Sequence, residues 1–198
     1  MNKALAVKYL GSTIDASGDS VLDAKARARI GWTKWREATG ILCDKKIPRR
    51  LKSKFYRSVI RPAMLYGSEC RPSTVNANKI LGTTETKMLR WILGLTLLDH
   101  VENDEVRRLM GVRPINDKIV EGRLRWFGHV ERSDPNSVAH SAMLMDEPGT
   151  RERGRPKKTW MANIKDDLKN TGLTKEDAQD RAKWRRLSRR ADPSTNWD

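Results

Sequence analysis

Apolar residues recur every three or four positions along most of this chain, which is the spacing of amphipathic helices. The helices predicted from this spacing cover approximately residues 20–38, 49–61, 77–93, 102–110 and 116–131. Ser20 and Asp23 resemble a capping box at the start of the first of them. Residues 4–15 differ, because they form two short extended stretches around a Gly11-Ser12 turn. The sequence therefore predicts a mainly α-helical fold that begins with a short β-hairpin.

One segment within this pattern, residues 45–61 (KKIPRRLKSKFYRSVIR), carries eight positive charges and no acidic residue. Pro48 suits the first turn of a helix, and Pro62 disfavours helical geometry at Arg61. A helix of about 13 residues therefore fits between the two prolines. The cations of this segment are Lys45, Lys46, Arg49, Arg50, Lys52, Lys54, Arg57 and Arg61.

The two faces of this helix differ in chemistry. At about 100° per residue, one face holds Leu51, Phe55, Val59 and Pro62, and we expect it to be buried. The opposite stripe holds Lys46, Arg50, Lys54, Arg57 and Arg61. A row of cations that points outward suits a polyphosphate backbone. The alternative is a solvated basic face with no ligand, and the uniform sign of the charges favours the functional interpretation.

The last third of the chain changes character. Residues 133–155 are rich in Ser, Pro, Gly and charged residues and predict a linker. Two helices follow, one starting at Pro156 and one capped by Thr174 with Asp177. This basic tail offers little apolar surface, so it must dock elsewhere or stay loose. The predicted organisation is a helical region at 1–100, a helical connector at 101–132, the linker at 133–155 and the tail at 156–198.

The charge of the chain indicates its partner. The formal net charge is +15 and the pI is about 10.2. Residues 1–100 carry 19 Lys and Arg against 8 acids, and residues 151–198 carry 14 against 8, whereas residues 101–150 carry 7 against 9. Two basic regions thus flank a nearly neutral one. An anionic partner follows from this distribution, with nucleic acid favoured over a membrane surface.

Residues that could carry catalysis or bind a metal ion are sparse. Cys43 and Cys70 lie far apart, and the three histidines show no metal-binding spacing, so these residues are expected to be ordinary core positions. The acids show no arrangement for two-metal phosphoryl transfer. We therefore expect no cofactor in this chain. No signal peptide or membrane-spanning stretch is evident, which predicts a soluble intracellular protein, nuclear or cytoplasmic.

A second basic motif lies where the linker meets the tail. The segment RGRPKK contains Arg153, Arg155, Lys157 and Lys158. An Arg-Gly-Arg-Pro core can lie extended in a narrow A·T minor groove, where glycine allows close approach. A basic linker that leads into a helix is the alternative, and it is favoured because six residues are not a specific signal.

Seven stretches, taken in order, resemble the carboxy-terminal part of a non-LTR (LINE-type) retrotransposon endonuclease–reverse transcriptase. They are KYLGSTID, RARIGWTKW, IPRRLKSKFYRSVIRPAMLYGSEC, KMLRWILG, GRLRWFGHVER, GRPKKTW and AQDRAKWR, which together span nearly the whole chain. By this resemblance, Lys8, Tyr9, Leu10 and Gly11 correspond to the primer-grip turn, and residues 20–67 to a helical thumb that holds the template–primer duplex.

The resemblance also implies what lies outside this chain. Fingers, the palm with its Tyr-x-Asp-Asp loop, and the endonuclease would lie upstream, and magnesium would be bound by that palm. The resemblance thus implies an RNA–DNA duplex and the upstream polymerase parts as partners, and no polymerase activity for this chain alone. One departure is Arg71, which stands where the family pattern favours Trp and would replace an apolar anchor.

Three functional hypotheses remain open from the sequence. The first is a template–primer binding region of an incomplete reverse transcriptase. The second is a stand-alone protein that binds A·T-rich DNA through Arg153 to Lys158, and the third is a non-functional fragment.

Overall fold

The computed structural model describes residues 6–9, 11–15, 20–145 and 158–193. These residues form a two-stranded antiparallel hairpin followed by helices, which confirms the predicted fold class. The strands are β1 Ala6–Tyr9 and β2 Ser12–Asp15. The helices are α1 Val21–Glu37, α2 Thr39–Leu42, α3 Arg49–Phe55, α4 Arg61–Leu65, α5 Val75–Leu93, α6 Asn103–Met110, α7 Ile115–Glu131, α8 Val138–Leu144, α9 Trp160–Thr171 and α10 Arg181–Ser188. A π-helical turn, Tyr56–Ile60, joins α3 to α4, and a 3₁₀ turn, Glu176–Gln179, precedes α10.

The chain divides into two compact units. Unit 1 comprises residues 1–67, 74–118 and 190–198, and unit 2 comprises residues 68–73 and 119–189. The predicted linker at 133–155 contains the short helix α8, which Ser137 caps by accepting a hydrogen bond from the His140 amide.

The hairpin of unit 1 is attached to α1 by two charged side chains. The Thr13 amide donates to Asp23 Oδ1 at 2.9 Å. Arg27, which is almost fully buried, donates through Nη2 to the Gly11 carbonyl at 2.7 Å and to Ser12 Oγ at 2.8 Å. The predicted capping box is wrong, because Ser20 makes no side-chain capping bond and the Asp23 carboxylate binds the hairpin instead.

Helix α1 packs closely on α4 and α5. Its buried edge contains Ala24, Ala28 and Trp35. Gly31 lies so near α4 that a Cβ atom at this position would be 2.5 Å from Met64 Cγ. The glycine therefore sets the distance between the two helices.

The segment from α3 to α4 departs from the predicted helix. Arg61 donates its amide to the Tyr56 carbonyl in the i→i−5 pattern of a π turn, and the helix continues through Pro62. Proline has no N–H for a regular α-helical bond, and a π turn rearranges the bonding at such a point. The predicted end of the helix at Arg61 is therefore wrong.

The predicted buried face of this segment is also wrong. Leu51 and Val59 are exposed, with 54% and 37% of their surfaces accessible, and Pro62 is exposed as well. Phe55 is only half-buried. The buried residues are Lys52, Ser53, Tyr56, Ile60, Arg61 and Met64. Polar residues occupy this face because several have partners inside the unit, such as Ser53 Oγ with the Met110 carbonyl.

A buried carboxylate connects the π turn with α5, α6 and the start of α7. Glu85 accepts hydrogen bonds from Tyr56 Oη at 2.8 Å and from the Ile115 amide at 2.9 Å. Arg107 Nε lies 3.4 Å from the same carboxylate. Burial raises the pKa of Glu85, although the Ile115 and Tyr56 hydrogen bonds and Arg107 oppose this shift.

Unit 2 has its own core, in which Trp184 of α10 is almost completely buried. Its indole Nε1 donates to the Leu124 carbonyl at 3.0 Å, and its ring lies 6.0 Å from that of Phe127. The core cluster consists of Leu124, Phe127, Ile164, Leu173, Ala178 and Trp184. The tail is therefore docked, and four of its residues, Ile164, Leu173, Ala178 and Trp184, belong to this core.

The ends of the helices in unit 2 follow local sequence signals. Thr159 caps α9, which begins at Trp160 and ends at Gly172 in the left-handed conformation. The predicted Pro156 start lies outside the described residues. Thr174 and Asp177 hydrogen-bond to each other across the 3₁₀ turn, whereas Asp180 caps α10. The predicted cap thus belongs to the 3₁₀ turn.

Among the residues described, no helix combines the length and apolar character needed to cross a membrane.

Gly128 gives a test of the unit 2 core. A Cβ atom at this position would overlap the indole of Trp184, with Cδ1 and Cε2 only 2.7 Å away. We expect Gly128→Ala to lower the free energy of unfolding by about 2 kcal/mol, because the indole cannot move without losing its packing. Urea unfolding followed by circular dichroism measures the change.

Gly122 provides the matched control on the same helix. Nothing lies within 4 Å of a Cβ atom built at this position. Gly122→Ala should leave stability unchanged or raise it by up to about 1 kcal/mol. Equal effects of the two substitutions would contradict the close approach of Trp184 to α7.

Candidate nucleic-acid interface

The cations that remain accessible in the basic segment lie around α3. Lys45, Lys46, Arg49, Arg50 and Lys54 are exposed. Arg57, in the π turn that follows, is half-buried. Arg50 and Lys54 are four residues apart, so they lie on the same side of the helix.

Lys46, Arg50, Lys54 and Arg57 form no ion pair with a carboxylate of the described part of the chain; we call these four the α3 cations. Asp44 contacts the backbone amide of Lys46 at 2.8 Å, not the ammonium group. No acid occurs between residues 45 and 61 to offset their charge. The segment therefore presents a positive surface.

Two of the predicted contact residues are not available to a ligand. Arg61 is buried and forms a bidentate pair with Asp192, with Nη1 to Oδ1 at 2.7 Å and Nη2 to Oδ2 at 2.6 Å. Lys52 is also buried, with 5% of its surface accessible. The predicted stripe of five outward cations is thus wrong at Arg61. The π turn alters the helical register there, so the 100° spacing no longer applies.

The Arg61–Asp192 pair connects the first residue of α4 to the last segment of unit 1, residues 190–198. Burial acts to raise the pKa of Asp192, but the Arg61 guanidinium and the Arg113 amide outweigh it and hold this pKa below its usual value. The Arg113 amide lies 2.9 Å from Asp192 Oδ1. Lys118 Nζ donates to the Arg190 carbonyl, which fixes the same short segment.

The described residues of the hairpin turn that resembles a primer grip, Lys8, Tyr9 and Gly11, are all exposed. Tyr9 is 62% exposed, and Gly11 adopts a φ of +80°, which favours glycine. Leu10 lies outside the described residues. Sequence reasoning did not identify Arg27 as the residue that holds this turn, although Asp23 and Arg27 have the i, i+4 spacing of a helical ion pair.

Lys158 is the one cation of the predicted RGRPKK motif that lies within the described residues. Arg153, Arg155 and Lys157 lie outside the described residues, and Lys158 pairs with Asp166 at 2.7 Å. Arg71, the departure from the family pattern, is half-buried, and burial lowers its pKa to about 10.

The prediction that the cysteines are core residues is wrong. Cys43 and Cys70 are both exposed and unbridged. No cluster of three or more metal-ligating side chains occurs among the residues the structure describes.

A further basic surface belongs to unit 2. Helix α10 buries Trp184 while leaving Arg181, Arg185 and Arg186 exposed, and Arg189, which follows its last residue, is exposed as well. The burial of one tryptophan thus fixes which way these cations face.

Comparison with known proteins gives a partial match to a transposon-derived protein. The chain is similar to an uncharacterised transposon-derived protein of Caenorhabditis elegans, with 28% identity over 131 residues. The matched region covers 63% of this chain and 46% of that relative, so the chain spans less than half of the relative's length. No protein-family model matches, and no solved structure gives a significant match. The similarity supports an origin in a transposable element.

The Arg61–Asp192 pair predicts a pH dependence of stability. Because the folded-state pKa of Asp192 is lowered, its ionised form stabilises the fold above the unfolded-state pKa of about 4, and this contribution disappears as pH falls through the folded-state value. Asp192→Asn should therefore cost about 2 to 3 kcal/mol at neutral pH. The difference in unfolding free energy between this variant and the unsubstituted chain should become smaller below about pH 4. Urea titrations at a series of pH values measure it.

The control is Glu37→Gln, which removes an ion pair with Lys34 in the same unit. Both side chains of that pair are about half exposed, at 46% and 56%, so its loss should change stability very little. Two results would contradict the role assigned to Asp192. One is an equal loss of unfolding free energy in both variants, and the other is a difference between Asp192→Asn and the unsubstituted chain that grows as pH falls.

Proposed function

We propose that this chain binds a nucleic-acid duplex along its sugar-phosphate backbone, without reading the base sequence. The observation that carries the proposal is the set of α3 cations, which are accessible and lack ion pairs among the described residues. Phosphate contacts of this kind position a duplex but carry no sequence information.

We further propose that the chain derives from the thumb region of a non-LTR retrotransposon reverse transcriptase. The order of its sequence motifs supports this origin, as does its similarity to a transposon-derived protein. The duplex would then be an RNA–DNA template–primer. Catalysis and magnesium binding would require a palm supplied by another part of the parent polyprotein, so this chain alone is proposed to bind and not to polymerise.

The role of Arg61 differs from the one that the sequence suggested. Its guanidinium stabilises unit 1 through Asp192, so its removal would damage the fold before it affected binding. Four cations therefore remain in place of the predicted five. Each phosphate neutralised contributes about 0.9 to the salt dependence of duplex binding.

The test replaces all four α3 cations by Gln (K46Q, R50Q, K54Q and R57Q). Binding of a blunt RNA–DNA duplex, followed by fluorescence anisotropy at several salt concentrations, should weaken at low salt. The slope of log K against log salt should flatten by about 3 to 4, because four phosphate contacts are lost. Duplexes of different base sequence should lose affinity by the same factor.

The control removes four positive charges from unit 2 instead. It replaces four exposed cations with Gln: Lys165, Lys169, Arg185 and Arg186. If this variant flattens the slope as much as the α3 variant does, net charge alone accounts for binding and the assigned surface is wrong. Unchanged binding in the α3 variant would also refute the proposal. Circular dichroism confirms that both variants keep their helix content.

A further inference from the structure

A second positive surface lies on the exposed edge of α5. Lys79, Thr83 and Lys87 are exposed and follow one another at intervals of four residues, so they form a line along the helix. Two depressions flank this line, and all three residues line both of them. Lys79 and Lys87 are separated by about 12 Å along the helix axis.

The depression between α5 and α1 has a volume of about 540 Å³. Lys25 of α1 contributes a third exposed lysine to it, and Trp32 and Ile80 supply apolar surface. We call this depression the α1–α5 groove. None of the described residues that line it carries a carboxylate.

The charges of this groove are not neutralised within the described chain. None of Lys25, Lys79 and Lys87 forms an ion pair with a described carboxylate. The second depression behaves differently, because Arg107 is paired with Asp104 and contacts Glu85, while Arg90 donates to backbone carbonyls. The arginines there are engaged in the fold, whereas Lys79 and Lys87, which line both depressions, and Lys25, which lines only the α1–α5 groove, are left for an external anion.

The position of Trp32 gives the groove a second kind of contact. The indole is half-buried and packs edge-on against Trp35, with ring centroids 5.5 Å apart and an interplanar angle of 70°. This contact holds the ring in place within the groove wall. Aromatic side chains beside a positive track are the features that bind unpaired bases by stacking.

We propose that the α1–α5 groove binds single-stranded nucleic acid, with an unpaired base against Trp32 and phosphates on Lys79 and Lys87. A base that is paired and stacked inside a duplex cannot enter such a groove, so the ligand must be unpaired at this point. The distance between the two lysines matches a few stacked nucleotides of one strand. The described residues that line the groove include none of the α3 cations, and its role does not depend on duplex binding.

The test uses the full chain and a short fluorescent oligothymidine, with an abasic strand of the same length for comparison. Replacing both lysines (K79Q and K87Q) should weaken oligothymidine binding about tenfold at low salt and flatten its salt slope by about 1.4, since each phosphate of a single strand contributes about 0.7. Binding of the blunt duplex should not change.

Trp32 is tested by two substitutions. Trp32→Leu should weaken oligothymidine binding about tenfold but leave abasic-strand binding unchanged, because only the base stacks on the ring. Trp32→Phe keeps an aromatic face and should retain most of the affinity. If the Trp32→Leu variant no longer unfolds cooperatively on heating, the Trp32→Phe variant and the double lysine variant still test whether the groove binds the strand.

The charge-matched control replaces Lys165 and Lys169 of α9 with Gln; like Lys79 and Lys87, both are exposed helical lysines. Equal weakening by the control and the groove variant would overturn the proposal, as would identical binding of the two strands by the unsubstituted chain. Loss of duplex binding on replacement of the α3 cations, with oligothymidine binding retained, would support two separate sites. If the variant without the α3 cations kept its duplex binding, the proposed function would be refuted, but the proposal for the α1–α5 groove would still stand.

Discussion

The arrangement of unit 1 depends on one buried carboxylate. Glu85 has no accessible surface, and its oxygens accept hydrogen bonds from the Tyr56 hydroxyl and the Ile115 amide, with Arg107 close by. A buried carboxylate without such partners would cost several kcal/mol, so each of these groups must be in position whenever the unit is folded. The π turn, α5, α6 and the first turn of α7 are thereby brought to one point.

Several arginines of this protein form part of its interior. Within the described residues, several arginines lie inside the units against carboxylates: the pairs are Arg27–Asp23, Arg61–Asp192, Arg107–Glu85 and Arg123–Asp167. The planar guanidinium suits this use because it forms several directed hydrogen bonds at once. These contacts engage acids that could otherwise offset surface lysines. The positive surfaces on α3 and α5 therefore follow from how the interior is bonded, as well as from the overall composition.

The sequence predicts the helices well and the polar interior poorly. Apolar stripes locate α5, α6 and α7, and left-handed glycines, Gly94 and Gly111, end α5 and α6, because both signals act locally. The buried face of α3 was missed because it is polar, and Tyr56 is explained only by Glu85, which lies 29 residues away. Of the predicted site, Lys46, Arg50 and Lys54 are accessible. Arg61 is not, since neither the π turn nor Asp192 can be inferred from helical spacing.

The bond between Arg61 and Asp192 spans 131 residues of the chain. Unit 1 is therefore discontinuous, and residues 119–189 of unit 2 lie along the chain between its last two segments, 74–118 and 190–198. During synthesis, the hairpin and first helices leave the ribosome long before Asp192 is made, and until then the Arg61 guanidinium lacks this carboxylate. Closing so long a loop is entropically costly and slow compared with local helix formation. The last step in completing unit 1 is thus expected to follow the folding of unit 2, whose longer segment, residues 119–189, precedes Asp192 and contains its core cluster.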